Sequence, residues 1–267
     1  MTAFIRPRKL DTPTLRLAVF HHAGGSASGY FPLTRGLPDG WDPLLVDLPG
    51  RGKRHTEPPS TDVASLVSRT VEDLLPWSGP APLALFGHSL GAIIAFEVAH
   101  ALEQRGVPVV WLGVSGRVAP DASVPGPRLS PAMPDEELLH GLDQLGGLPP
   151  LLHELPDFRR RFLRLIRSDF GALGAYRPDA ARRPLAAPVT AFGAAEDPLA
   201  PPRYLDSWSR ETSRGFTKCL LPGGHFHFLD DSFAHFTRVL VAEMRPWLRM
   251  PPAAPPFATA EPAATAV

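Results

Sequence analysis

A five-residue segment, Gly87-His88-Ser89-Leu90-Gly91, constrains the fold of this chain most strongly. It follows the apolar run of residues 82–86 and precedes the helix-like run of residues 92–99. A Gly-x-Ser-x-Gly segment between a buried strand and a helix is typical of a nucleophile elbow, a sharp turn that lifts a serine hydroxyl clear of the backbone. The flanking glycines leave room for strained dihedral angles and close helix packing. We therefore interpret Ser89 as a nucleophile; the alternative is a loop hydroxyl or a helix cap.

The composition favours one large α/β domain and excludes several classes of protein. The chain has 267 residues, of which 44% are hydrophobic, so it can bury a full core. Its 27 basic and 27 acidic residues balance, so no overall field attracts nucleic acid or a membrane. Cys219 is the only cysteine, which excludes an internal disulfide and a cysteine-based metal site. Because it lies in an apolar run, we expect a buried core thiol.

We expect the start of the chain to contribute no secretory signal and its end to contribute no part of the core. Residues 1–10 contain basic side chains but no apolar stretch follows them, so they do not form a secretory signal. No segment has the apolar length that a membrane span needs, and we expect a cytoplasmic protein. Residues 251–267 consist mainly of Pro, Ala and Thr, which predicts a disordered tail after a catalytic domain in residues 1–250.

Apolar runs alternate with helical patterns along most of the chain. This alternation predicts an α/β fold, with a mostly parallel sheet and helices on both faces. The predicted strands are Leu15–Phe20, Leu44–Leu48, Leu83–Phe86, Val107–Val114, Val189–Phe192 and Phe216–Leu221. The predicted helices are Val63–Leu75, Ala92–Gln104, Pro202–Glu211 and Ser232–Leu248.

One interval, from Arg117 to Pro188, interrupts the alternation. It is far longer than a usual connection in an α/β unit and therefore must have structure of its own. Helical patterns cover Pro134–Leu145 and Asp157–Tyr176 within it. We interpret residues 118–187, approximately, as a helical lid insertion; the alternative is a helical pair that stabilises the sheet edge.

A reactive serine needs a base, and the base needs a third group that fixes its orientation. In α/β folds that carry a nucleophile elbow, the three residues occur along the chain in the order serine, acid, histidine. Asp197 follows a late strand and precedes a proline, which makes it the predicted acid, with Glu196 as the alternative. His225 follows the last strand and a Gly-Gly turn, and it is the predicted general base; His227 is its competitor.

The first strand ends in His21-His22-Ala23-Gly24-Gly25-Ser26, a small and glycine-rich loop. Such a loop can bring the Ala23 N–H close to a reacting carbonyl, while Leu90 supplies the N–H that follows the nucleophile. Together they form the predicted oxyanion hole. A phosphate-binding turn is the alternative, but the loop lacks a G-x-G-x-x-G or G-x-x-x-x-G-K-S/T pattern.

The histidine pairs do not have metal-ligand spacing. His225 and His227, even with His21 and His22, match neither H-E-x-x-H nor a carboxylate triad. We expect no metal and no other cofactor.

Taken together, these motifs resemble those of the type II thioesterases that accompany polyketide synthases and nonribosomal peptide synthetases, members of the α/β-hydrolase superfamily. The resemblance runs from about Leu15 to Leu248. His21 departs from it, because the family commonly has proline there. The matching segments are the oxyanion loop at 22–27, the P-G-R-G segment in 47–54, the triad motifs at 87–91, 197–199 and 223–226, and the lid segments at 145–149 and 169–176.

The resemblance implies hydrolysis of acyl groups from the phosphopantetheine arm of an acyl or peptidyl carrier protein, which clears stalled units from an assembly line. Arg160, Arg164 and Arg167 recur at helical spacing in the lid, and we interpret them as a docking face for an acidic carrier protein. A solvated helix face is the alternative. Arg51 and Arg54 are expected to be structural ties near the mouth of the site.

Three other functions remain open at this point. A carboxylesterase or lipase would share every catalytic residue but not the lid motifs. A non-catalytic binding protein for acyl chains or carrier domains would share the fold, although the complete Ser, Asp and His set disfavours it. A cyclising thioesterase that releases finished product is disfavoured because the chain shows no fused carrier domain.

Overall fold

The computed structural model describes residues 4–125, 129–149, 152, 154–229 and 232–250. Seven strands in this part of the chain form one sheet, in the order β1-β3-β2-β4-β5-β6-β7. Every neighbouring pair is parallel except β1 and β3. The strands are β1 Phe4–Ile5, β2 Leu15–Phe20, β3 Trp41–Val46, β4 Leu83–His88, β5 Val109–Ser115, β6 Val189–Ala194 and β7 Phe216–Leu221.

Helices cover both faces of the sheet, as the alternating pattern predicts. On one face, α2 and α3 bury apolar side chains against the central strands, in a core that also contains Trp208 and Leu205. On the other face, α1 and α6 pack against an aromatic cluster around Phe86, Phe192 and Phe236. The helices are α1 Phe31–Thr34, α2 Val63–Leu74, α3 Leu90–Gln104, α4 Asp135–Gln144, α5 Pro156–Ala175 and α6 Phe233–Leu248.

Three details differ from the sequence-based expectation. Strand β3 begins at Trp41 and includes Pro43, because β1 pairs only with Leu45 and Val46 and leaves one edge of β3 without a neighbour at the proline. Pro202–Glu211 is a 3-10 helix, in which the Ser207 and Ser209 hydroxyls bond the carbonyls three residues earlier. The expectation of a buried Cys219 is wrong: β7 is an edge strand, and the thiol is only half-buried.

The interval between β5 and β6 contains the helices α4 and α5. We call this interval the insertion. Its helices share a small apolar core around Leu138, Leu142 and Phe162. Arg167 of α5 bonds Asp135 at the start of α4, and the Tyr176 hydroxyl, just after α5, donates to Glu97 of α3. These hydrogen bonds therefore join the two helices of the insertion to each other and join the insertion to α3, the helix that follows Ser89. The tail predicted to be disordered, residues 251–267, lies outside the described residues.

No helix in the described part of the chain combines the length and the apolar character required to cross a bilayer.

The turn between β4 and α3 is held by two glycines. Ser89 has φ 56° and ψ −113°, the positive φ that a nucleophile elbow requires, and it is the only non-glycine residue with positive φ among those described. A Cβ on Gly87 would lie 2.0 Å from the Gly91 carbonyl oxygen, and a Cβ on Gly91 would lie 2.3 Å from the Phe20 oxygen. Only glycine permits both approaches.

These contacts predict the effect of a single methyl group. Gly91→Ala should lower the free energy of unfolding by about 1–3 kcal/mol, because the methyl group would overlap backbone atoms that cannot move aside easily. Gly174→Ala is the control: this helical glycine has open space where a Cβ would stand, so alanine should add about 0.5–1 kcal/mol. Urea denaturation midpoints measure both. Equal midpoints for Gly91→Ala and the unchanged protein would show that the turn has no such constraint.

Candidate active site

The predicted nucleophile, acid and base all follow strands of the sheet at its carboxyl edge. Ser89 follows β4, Asp197 follows β6 and His225 follows β7. Because parallel strands present their carboxyl ends at one edge, side chains from distant parts of the chain meet there.

His225 and Asp197 form a buried, directed pair. His225 Nδ1 lies 2.9 Å from Asp197 Oδ2, and the side chains are 2% and 0% exposed. This contact fixes the ring's orientation and places the proton on Nδ1, so that Nε2 is left to accept a proton.

The Asp197 carboxylate is stabilised in its charged form. Its other oxygen accepts the N–H groups of Leu199 (2.8 Å) and Ala200 (3.2 Å). Burial alone would raise the pKa of this carboxyl group, but the hydrogen bond and charge of His225, together with the two backbone donors, lower it below its ordinary value. Asp197 is therefore an anion at neutral pH, as an orienting acid must be.

Ser89 is partly exposed, and its backbone is bonded to the end of the strand that lies beside His225. Its N–H donates to the Ser115 carbonyl at 2.8 Å, at the end of β5. At the next residue, a Cβ added to Gly116 would lie 3.1 Å from His225 Cε1, so the imidazole stands over the end of β5. Among the described residues the Ser89 hydroxyl makes no hydrogen bond, to His225 or to any other group. Catalytic hydrogen bonds of this kind often tighten only when substrate is bound.

The two predicted oxyanion donors are available for a ligand. Ala23 lies in the turn after β2, and Leu90 is the first residue of α3, where a helix leaves its N–H groups without internal partners. Within the described part of the chain, neither N–H donates to a protein acceptor.

The loop that carries Ala23 is held by buried polar contacts. His21 Nδ1 bonds the His22 carbonyl at 2.7 Å, and its Nε2 is 3.5 Å from the Leu48 N–H. Asp47 accepts the N–H groups of Ala27 and Lys53, both at 3.0 Å. His21 thus ties the loop to the segment after β3. Arg51, expected to be a structural tie, bonds Asp169 of α5.

Three further histidines surround the site, and burial keeps them uncharged. Desolvation, with the positive charges of His225 and Arg51, lowers the pKa of His22 to about 3. Burial lowers the pKa of His227 to about 4 and that of His88 well below its ordinary value. His227 has no hydrogen-bond partner for either buried ring nitrogen among the described residues, whereas His225 bonds Asp197. The geometry therefore favours His225 over its competitor.

Sequence reasoning did not predict the roles of His88 and Tyr30. The His88 ring lies 4.9 Å from that of His225 and its Nδ1 is 3.1 Å from the Ser115 hydroxyl. The Tyr30 hydroxyl is 3.0 Å from His22 Nδ1. His88 lies inside the Gly-x-Ser-x-Gly segment, which is the signal available for it in the sequence, whereas Tyr30 lies outside the motifs.

The predicted docking arginines lie on α5, away from the nucleophile. Arg160 and Arg164 are exposed, and Arg160 pairs with Asp157 of the same helix. Arg167 instead bonds Asp135 and the Pro131 carbonyl inside the insertion. No group of three or more His, Cys, Asp or Glu side chains in residues 4–250, leaving aside the undescribed positions, is arranged to hold a metal ion.

Comparison with known proteins identifies the family of the chain. Residues 15–243 match the model of the thioesterase domain. The chain is 39% identical to Thioesterase PikA5 of Streptomyces venezuelae over 219 residues, which cover 81% of this chain and 76% of that protein.

Two solved structures are also similar. RedJ, a thioesterase from the prodiginine biosynthetic pathway of Streptomyces coelicolor, superposes with a TM-score of 0.79 at 34% identity, over 89% of this chain and 97% of that one. YbtT, a type II thioesterase from the yersiniabactin NRPS/PKS pathway, gives 0.81 at 27% identity, over 92% and 99%.

Substitutions can show which of the two histidines, His225 or His227, is the base. His225→Ala should slow covalent labelling of Ser89 by a fluorophosphonate about 10⁴-fold or more, because the base is lost. His227→Leu should label within a few-fold of the unchanged protein, since neither ring nitrogen has a partner. Loss of labelling in both variants would overturn the assignment of His225 alone.

The His227→Leu variant also tests how the free energy of unfolding depends on pH. His227 has an ordinary pKa of 6.5 and a folded value of about 4, so between these values the unfolded chain binds a proton that the folded chain does not. Stability therefore falls as the pH drops from about 6.5 to 4. His227→Leu should make this loss smaller, as measured by urea midpoints at pH 7 and pH 5. An unchanged loss would show that His227 does not contribute.

Proposed function

We propose, from the premise that the chain belongs to the thioesterase family, that it is an editing enzyme which hydrolyses acyl groups from the phosphopantetheine arm of a carrier protein in a polyketide or peptide assembly line. It is a hydrolase that acts on thioester bonds. The observation that carries the proposal is the buried His225–Asp197 pair beside a strained, partly exposed Ser89. RedJ and YbtT, by their names, act in such pathways.

In the proposed acylation step, His225 Nε2 takes the proton of Ser89 Oγ as the oxygen attacks the thioester carbonyl. The carbonyl oxygen becomes negative and accepts the N–H groups of Ala23 and Leu90. Collapse of this intermediate breaks the C–S bond, and the thiol leaves with the proton held by His225. Asp197 stabilises the imidazolium throughout.

Deacylation repeats these steps with water. His225 removes a proton from the attacking water, the same two N–H groups hold the second oxyanion, and the proton returns to Ser89 Oγ as the acid departs. A thioester suits this site, because a thiol with a pKa near ~8.5 leaves with less protonation than an alcohol.

The insertion is proposed to act as a lid, with the catalytic domain in residues 1–250. Its helix α5 packs directly on the loop that carries Ala23, since Phe162 and Ile166 atoms lie 3.0 Å from where a Cβ of Gly24 would be. A helix in this position lies over the site and can both enclose an acyl chain and exclude water.

The carrier protein is proposed to dock on the exposed side of α5. Arg160 and Arg164 present positive charge there, while Arg167 is engaged inside the insertion. Complementary charge steers association more than it adds affinity, so these residues should affect capture of the carrier protein.

The nucleophile and the bond type can be tested together. Wild-type protein should be labelled by a fluorophosphonate and should hydrolyse an acyl thioester at least about 10-fold faster than the matched oxygen ester, whereas Ser89→Ala should lose both activities. A faster oxygen ester would favour a carboxylesterase. A wild-type protein that binds the acyl carrier but is neither labelled nor active would favour a non-catalytic binding protein. Cyclic product from a long acyl chain would favour a product-releasing thioesterase.

The docking face can be tested by charge reversal. Arg160→Glu with Arg164→Glu should raise KM for an acyl carrier protein about 10-fold and leave hydrolysis of a small acyl thioester within two-fold, because only the protein partner meets this surface. Arg105→Glu with Arg210→Glu, two exposed arginines outside the insertion, is the matched control. Equal losses on both substrates, or no loss on either, would remove the docking role.

A further inference from the structure

Arg51 and Asp169 form a buried ion pair that joins the insertion to the body of the protein. Arg51 Nη1 donates to Asp169 Oδ2 at 2.7 Å and Nη2 donates to Oδ1 at 2.8 Å, so the pair is bidentate. The side chains are 4% and 1% exposed. Arg51 lies after β3, whereas Asp169 lies on α5. Burying two charges is costly, so such a pair persists only with good geometry and additional hydrogen bonds.

Two additional hydrogen bonds go to the loop that carries Ala23, and Arg51 Nη2 is also 3.5 Å from the Pro49 carbonyl oxygen. Asp169 Oδ2 accepts the Gly24 N–H at 2.7 Å, and Arg51 Nη1 is 3.3 Å from the Gly25 carbonyl oxygen. The Gly24 N–H belongs to the peptide group directly after Ala23. Holding that group fixes the backbone on one side of the Ala23 N–H.

Apolar contacts of the same helix support the polar ones. Phe162 and Ile166 fill the space beside Gly24, and Leu165 lies 3.0 Å from where a Cβ of Gly50 would stand. Both glycines have positive φ, at 75° and 87°. Helix α5 therefore packs against two loops at glycines where a Cβ would be crowded and the positive φ disfavours any other residue.

We propose that Asp169 is a positioning residue for the oxyanion hole: through the Gly24 N–H it sets the direction of the Ala23 N–H, and Arg51 holds its carboxylate in place. The inference rests on the proposed function, in which Ala23 is an oxyanion donor. On this proposal, catalysis requires α5 to be packed against the loop that carries Ala23. This requirement is separate from the proposed role of the helix in enclosing the acyl chain.

Replacing the carboxylate tests this role. Asp169→Asn should lower kcat for a small acyl thioester about 10- to 100-fold with KM within about three-fold, because with Arg51 in place a single amide oxygen cannot accept both guanidinium nitrogens and the Gly24 N–H, and a misplaced oxyanion donor is felt in the transition state. Labelling of Ser89 by a fluorophosphonate should slow by a similar factor. The same factor is expected with an acyl carrier protein, since docking is not involved.

Glu211→Gln is the matched control. Glu211 is buried and Arg182 is partly buried, and they form another bidentate pair, with contacts of 2.7 and 3.1 Å, between the segment after α5 and the 3-10 helix Pro202–Glu211. This variant should lose stability but keep kcat. If Asp169→Asn, corrected for its unfolded fraction, keeps kcat as Glu211→Gln does, the pair is merely structural and the proposal is overturned.

A second pair of variants separates the Gly24 contact from the buried charge. Arg51→Met with Asp169→Asn keeps an oxygen that can accept the Gly24 N–H, whereas Arg51→Met with Asp169→Leu removes it; both remove the charges. The Asn variant should have at least about five-fold higher kcat than the Leu variant. Equal values would overturn the proposal.

The outcome for wild-type protein identifies which idea has failed. If wild-type Ser89 is not labelled, the proposed function itself fails. If wild-type protein is labelled and Asp169→Asn is labelled equally fast, only the positioning role fails.

Discussion

The contact between Gly91 and the end of β2 is the constraint on which the site depends. Position 91 lies so close to the carbonyl oxygens of Phe20 and His21 that a Cβ would stand 2.3 and 2.7 Å from them. The start of the nucleophile helix is thereby pressed against the start of the loop that carries Ala23. The N–H groups of Leu90 and Ala23 come from segments almost seventy residues apart, yet this single approach brings their backbones together, and it is possible only without a side chain.

A carboxylate partner distinguishes His225 from the other clustered histidines. His22, His88 and His227 are desolvated, and burial lowers the pKa of each, so they contribute shape and uncharged polar edges at neutral pH. His225 is also buried, but it bonds a carboxylate that is itself held charged by two backbone donors. Of these four histidines, only His225 therefore has a carboxylate beside it that compensates a positive charge developing on the ring.

Much of this arrangement can be predicted from the sequence, because each part has a local signal. Asp197 and His225 each follow an apolar run and a turn, and in a parallel sheet that is enough to place them at one edge. The start of β3 could not be predicted, since the tolerance of Pro43 depends on how short β1 is. The Arg51–Asp169 contact joins residues 118 positions apart and has no local pattern. Likewise, nothing near His21 indicates that its ring reaches the Leu48 N–H.

Two of the contacts between the insertion and the site differ in their chemistry. On α5, the buried bidentate pair and its bond to Gly24 demand one geometry, because separating the charges leaves them uncompensated. After α4, Gly147 meets Phe226, whose ring lies 4.8 Å from that of His22 and 4.9 Å from that of His225. This second contact is apolar and makes no comparable directional demand. On the proposed function, oxyanion geometry therefore depends on the directional contacts of α5, whereas the space beside the base also depends on the apolar loop after α4, which packs with α5 in one small core.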